Sequence, residues 1–214
     1  GSVDRVDVLE QDGQQFVRVV DYKSGAKPFR LADIVNGLNL QMFLYLFNVC
    51  ADGSNPYAGV PAGVLYMHAA RSVMTVETKS SAEKDIAGQE DKAFGMNGIV
   101  ITNPDCDIPA AMEHDLAGKY IPVRLKKSGV GGSLASLEQL GLLQRKIEAL
   151  VADMGNALQN GQIGQHPVQA KDHDKTCEYC DFASVCAFKK SVTPRTYDDQ
   201  TDSAVLAELE KEGE

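Results

Sequence analysis

Two short stretches at the start of the chain, Val3–Leu9 and Gln15–Lys23, alternate apolar and polar residues around Asp12-Gly13. Period-two alternation predicts strands, and Asp-Gly is a favoured centre of the type I′ turn, so a β-hairpin is expected here. From Ala32 to Cys50 the chain is apolar on nearly every side and too long for a strand, which predicts a buried helix ending at Asp52-Gly53. A strand at Gly63–Ala70, a polar helix at Ala82–Phe94, a strand at Ile99–Thr102, a helix at Pro104–His114 and a strand at Tyr120–Leu125 follow. After the glycine-rich break Gly129–Ser133, apolar residues recur at helical spacing from Leu134 to Leu158, predicting a long amphipathic helix that packs on the core. The order is mixed α/β. No internal repeat is visible.

The hairpin carries the candidate chemistry. With Asp12 and Gly13 as the two turn residues, cross-strand partners have numbers summing to 25, which sets Asp4 opposite Asp21 and Asp7 opposite Arg18. Side chains alternate between faces, so Asp4, Asp21 and Lys23 share one face above Val6, Val8, Val17 and Val19. Two opposed carboxylates repel unless a positive charge lies between them. Oxygen ligands without a nearby His or Cys suit magnesium or manganese. Lys23 beside such an ion fits phosphodiester hydrolysis, in which it orients water or neutralises developing charge. The plainer alternative is a strand that ends in solvated charges. Asp7 opposite Arg18 reads as a structural ion pair.

Composition narrows the setting. The chain has 214 residues, 43% hydrophobic, enough for one substantial core, and contains no apolar run long enough to span a membrane and no signal-peptide pattern. Five cysteines, three of them in Cys177–Cys186, fit a metal cluster in a reducing compartment better than a disulfide framework, and the cytoplasm is the expected location. A net charge of −9 is unusual for a protein that meets nucleic acid. Asp198–Glu214, however, holds seven acids and one base, hence −6, leaving −3 on the rest. Lys23, Lys27, Arg30, Arg71, Arg124, Lys126 and Lys127 are available to line a basic groove. The spacing C-x2-C-x5-C of Cys177, Cys180 and Cys186 suits an iron–sulfur cluster, or zinc completed by His166 or His173. His68 and His114 read as structural, and Cys50 as a core residue.

The segments GSVDRVD, VVDYKSG and GLNLQMFLYL resemble, in order, the Gly-x-x-Asp, Asp-x-Lys and Gln-x-x-x-Tyr motifs of RecB-family nucleases of the PD-(D/E)XK superfamily. FGMNGIVI, Ser136-Leu137-Glu138-Gln139 and CEYCDFASVC extend the likeness, over about residues 1–190, to the B subunits of AddAB-type helicase–nucleases. The resemblance implies a restriction-endonuclease-like fold, a mixed central sheet flanked by helices, with a C-terminal cysteine motif. It implies a magnesium- or manganese-dependent DNA exonuclease domain that processes double-strand ends for recombinational repair, in a bacterial heterodimer with an A subunit. Asp4, Asp21 and the Tyr22 carbonyl become metal ligands, Lys23 the catalytic lysine, and Gln41 and Tyr45 residues that support the site and contact DNA. Cys177, Cys180 and Cys186 become ligands of a [4Fe–4S] cluster whose fourth cysteine lies upstream.

The family also places a ligand-bearing helix before Gly-x-x-Asp. Its absence here leads to the expectation of a weak or inactive isolated fragment with an empty or degraded cluster. No P-loop pattern occurs, and no ATP binding is expected of this stretch. The expected division is a nuclease domain at 1–175, the cysteine motif at 176–190 and an acidic tail at 191–214, mobile apart from a short helix at Ala204–Lys211. Alternatives are a stand-alone iron–sulfur nuclease of the Cas4 type and a non-catalytic DNA-binding or subunit-docking module.

Overall fold

The computed structural model describes residues 2–25, 28–69, 94–170, 177, 180–186 and 194–213. The described chain divides into two units, one of residues 1–29 and 41–140 and the other of residues 30–40 and 141–214.

In the first unit, strands β1 (Arg5–Gln11) and β2 (Gln14–Lys23) form the expected hairpin. Every paired position sums to 25, from Arg5 with Val20 to Gln11 with Gln14. Asp12 and Gly13 both have positive φ, 52° and 79°, as a type I′ turn requires. β2 runs parallel to β3 (Val60–His68), β3 antiparallel to β4 (Asn97–Thr102), and β4 parallel to β7 (Leu134–Ser136). The sheet order is β1-β2-β3-β4-β7. Helix α2 (Gln41–Ala51) lies across β2 and β3, burying Met42, Phe43 and Leu46. On the reverse face, Phe16, Val20, Leu65 and Val100 form one core with Ile108 of α3 (Ile108–Met112), Ile121 and Val123. Each such side chain contributes roughly 1.5–3 kcal/mol when withdrawn from water.

Three expectations change. The helix expected over Ala32–Cys50 is split into α1 (Leu31–Val35) and α2, because Gly37 and Asn39 adopt positive φ (87° and 56°) and end the first helix. The glycine-rich break is strand β6 (Gly129–Gly132), paired with β5 (Val123–Lys126). Helix α4 (Leu137–Gln159) starts three residues later than the apolar periodicity does, since Leu134–Ser136 is drawn into the sheet. A capping box fixes that start: the Gln139 N–H donates to Ser136 Oγ (3.1 Å) and the Ser136 N–H to Gln139 Oε1 (2.9 Å). Of the helix expected at Ala82–Phe94, only Phe94 lies among the described residues.

The second unit contains α1, the part of α4 from Gly141 onward, β8 (Val168–Ala170), α5 (Ala183–Cys186), β9 (Arg195–Tyr197) and α6 (Asp202–Gly213). The acidic segment is held in place, in contrast to the mobile tail expected. β9 pairs with β8, and α6 buries Val205, Leu206 and Leu209, a stripe one helical turn long. Polar contacts tie both elements to α1: Tyr197 donates to Asp33 Oδ1 (2.7 Å), and Asp202 Oδ1 accepts from the Leu31 N–H (2.8 Å). Among the described residues, no helix is long and apolar enough to cross a membrane.

Candidate active site

Parallel pairing of β2 with β3 brings the C-terminal ends of both strands to the same edge of the sheet. Asp21 stands in register with Tyr66, and Lys23 with His68. Alternation puts Val17, Val19, Asp21 and Lys23 on one face of β2, continued by Val64, Tyr66 and His68 on β3. Extending the hairpin register by one residue sets Asp4 opposite Asp21. Asp4 Oδ2 accepts the Tyr22 backbone N–H at 3.0 Å, which draws its carboxylate to the level of the Asp21–Lys23 pair.

Asp21 is buried, at 8% exposure, and forms an ion pair with the Lys23 ammonium. The oxygen that meets the ammonium is Oδ2. A buried carboxylate depends on such a counter-charge, the more so where a second acid faces it across the hairpin. The Lys23 Nζ also lies 5.6 Å from the centre of the Tyr66 ring, whose neighbour Phe29 (6.3 Å between centres) leads on to Phe43 of α2 (6.2 Å). Aromatic packing of this kind contributes about 0.5–1.5 kcal/mol per pair beyond simple burial, so the floor of the site is stiff. Two hard carboxylates that oppose each other across the hairpin, with the Tyr22 carbonyl between Asp21 and Lys23, are an all-oxygen donor set that fits a divalent cation such as magnesium.

Asp7 is separate from this group. It lies on the reverse face between Arg5 and Arg18, with both guanidinium contacts at 2.7 Å. Burial pushes its carboxyl pKa up, but the hydrogen bonds from the two arginines outweigh that and hold it below its ordinary value. Gln41 and Tyr45 bond to each other, Gln41 Nε2 donating to the Tyr45 hydroxyl at 2.8 Å. Among the described residues, neither is hydrogen-bonded to Asp4, Asp21 or Lys23. His68, read from sequence as structural, stands beside Lys23. The period-two run Val64, Tyr66, His68 is the signal that would have placed it there.

The cysteines are less convergent. Cys177 and Cys186 are half-buried and Cys180 is exposed. Among the described residues, no three His, Cys, Asp or Glu side chains are grouped closely enough to hold a metal ion. Burial pushes the Cys50 thiol pKa up to about 11, as befits a packed thiol.

Comparison with known proteins accords with this geometry. The family model described as PD-(D/E)XK nuclease superfamily matches residues 1–187. The chain belongs to that superfamily. Relatives named as the B subunits of ATP-dependent helicase/deoxyribonucleases include those of Bacillus thuringiensis (32% identical over 225 residues), Clostridium botulinum (29% over 222) and Thermoanaerobacter (28% over 221). Each alignment covers 99% of this chain and 19% of the relative. The chain therefore spans about a fifth of the length of these proteins. The five-stranded mixed sheet flanked by helices is the fold that the superfamily resemblance implies.

Proposed function

We propose that this chain is the DNA-cutting domain of the B subunit in a bacterial helicase–nuclease, an exonuclease that processes double-strand ends for recombinational repair alongside an A subunit. The observation that carries the reading is the convergence of Asp4, Asp21 and Lys23 at one end of the β1–β2 hairpin. Magnesium or manganese would be held by the two carboxylates and the Tyr22 carbonyl. When bound, the ion supplies positive charge against a phosphoryl oxygen and acidifies water. Lys23, beside Asp21 at the mouth of the hairpin, would set its ammonium where negative charge grows on the phosphate. Gln41 and Tyr45, four residues apart on the exposed side of α2, present polar groups to the DNA strand.

The test is Lys23→Ala in the intact protein, assayed on linear DNA with magnesium. Cutting should fall by at least about 100-fold, the scale of losing one preorganised charge, in a variant whose far-ultraviolet circular dichroism shows it still folded. Cutting at the parent rate would reject the role given to Lys23, and a parent that does not cut at all would favour a docking module that retains the fold without the chemistry. The C-x2-C-x5-C spacing supports a finer proposal, an iron–sulfur cluster at Cys177, Cys180 and Cys186 in the intact protein. Broad absorption near about 400 nm after anaerobic purification would accord with it, and a colourless zinc-loaded protein would refute it.

A further inference from the structure

A second feature stands at the same end of the sheet as the carboxylates. Glu113, 5% exposed just after α3, accepts three backbone N–H groups with its carboxylate: Lys119 at 2.8 Å, Tyr120 at 2.9 Å and Ile121 at 3.0 Å. Burial alone would raise its pKa. The backbone donors outweigh burial and hold the carboxyl below its ordinary value, so it stays charged and the loop stays fixed. Ile121 is anchored in the core of the first unit, whereas Tyr120 next to it is 45% exposed, with Lys119 Nζ 5.2 Å from its ring centre.

Hydrogen bonding places this loop relative to the acids. Asp21 is in register with Tyr66, and Tyr66 with Asn97. Met96, next to Asn97, donates its N–H to the Tyr120 carbonyl at 2.9 Å. Three strand-to-strand steps of about 4.8 Å separate Asp21 from Tyr120, about 15 Å along one edge. The surrounding segment Leu116–Leu137 holds four bases and no acid in a chain of net charge −9. Of these, Arg124, Lys126 and Lys127 are exposed on the β5–β6 hairpin.

We propose that Tyr120, with Lys119, is a stacking platform for an unpaired base of single-stranded DNA, a few nucleotides from the strand's crossing of Asp4, Asp21 and Lys23. This rests on the nuclease reading above and deepens it by naming the strand state and the subsite. An exposed aromatic ring beside a cation matches a base face and its phosphate. Bases within a duplex have both faces covered by their neighbours and cannot use it. Because Glu113 holds the loop backbone before any DNA arrives, little ordering cost is left to binding.

The experiment measures binding without cutting. A fluorescein-labelled oligothymidine and a blunt duplex of equal length are titrated with the intact protein in EDTA, and anisotropy is read at several salt concentrations. Tyr120→Ala should weaken oligothymidine binding about 5- to 150-fold, the fold-change equivalent to about 1–3 kcal/mol of base stacking. Tyr120→Phe should bind like the parent, because the ring and not the hydroxyl is used. Duplex binding should be unchanged in both. Lys119→Ala should flatten the salt slope by about 0.7, one phosphate contact. Binding of Tyr120→Ala within twofold of the parent, an equal loss in Tyr120→Phe, or an equal loss on the duplex would overturn the proposal. A parent that cuts with magnesium while Tyr120→Ala binds like it sinks this subsite alone. A parent that neither cuts nor binds sinks the nuclease reading beneath it.

Discussion

Aspartates of one hairpin end up in opposite roles because of a single parity. Asp4 and Asp21 fall on the face where acid meets acid, and Asp7, three residues after Asp4, falls on the face where it meets Arg5 and Arg18. Asp7→Ala removes the shared acceptor and leaves two neighbouring guanidinium groups facing each other. Chemical denaturation should show a loss of about 1–2 kcal/mol, with DNA cutting at the parent rate. Loss of cutting in that variant, at full stability, would mean that the two faces are not independent. This division was legible in the sequence, since an Asp-Gly turn and strict alternation fix which side chains oppose each other. The neighbourhood of Lys23 was not, because the parallel pairing that brings His68 alongside depends on a strand about 40 residues away along the chain.

At the scale of elements, local signals succeeded where a residue's own preference decides and failed where a neighbour decides. The split between α1 and α2 was readable in principle from Asn36-Gly37 and Asn39, residues that tolerate the left-handed backbone. Gly129–Gly132 and Leu134–Ser136 carry weak strand preference and become strands by pairing with β5 and β4. The loop at Lys119–Ile121 was invisible, because Glu113 recognises backbone N–H groups that nearly any sequence possesses. Glu113→Gln exchanges a buried, thrice-bonded carboxylate for an amide and should cost about 1–3 kcal/mol. Since the folded carboxyl is held below its ordinary value, its contribution is complete above pH about 4.5 and is lost as pH falls further through the folded value. Parent and variant should therefore converge in stability in strongly acidic buffer when unfolding is followed by circular dichroism. A gap that persists unchanged into acid would contradict the charged clamp.

Across the whole chain, the net charge of −9 argues against nucleic acid only while charge is treated as uniform. Six of those charges lie in the segment Asp198–Glu214, half of them carried by α6 in the second unit, whereas the candidate site and the basic stretch Leu116–Leu137 belong to the first. Local charge at the hairpin end therefore matters more than the total, and there the central claim is that Asp4 and Asp21 share a divalent cation. Calorimetric titration of the intact protein with manganese tests it without relying on catalysis. Asp4→Asn and Asp21→Asn should each weaken binding by at least about 10-fold, while Lys23→Ala should bind as well as the parent or better, since a competing ammonium has gone. Unweakened manganese binding in both aspartate variants would contradict the shared ion.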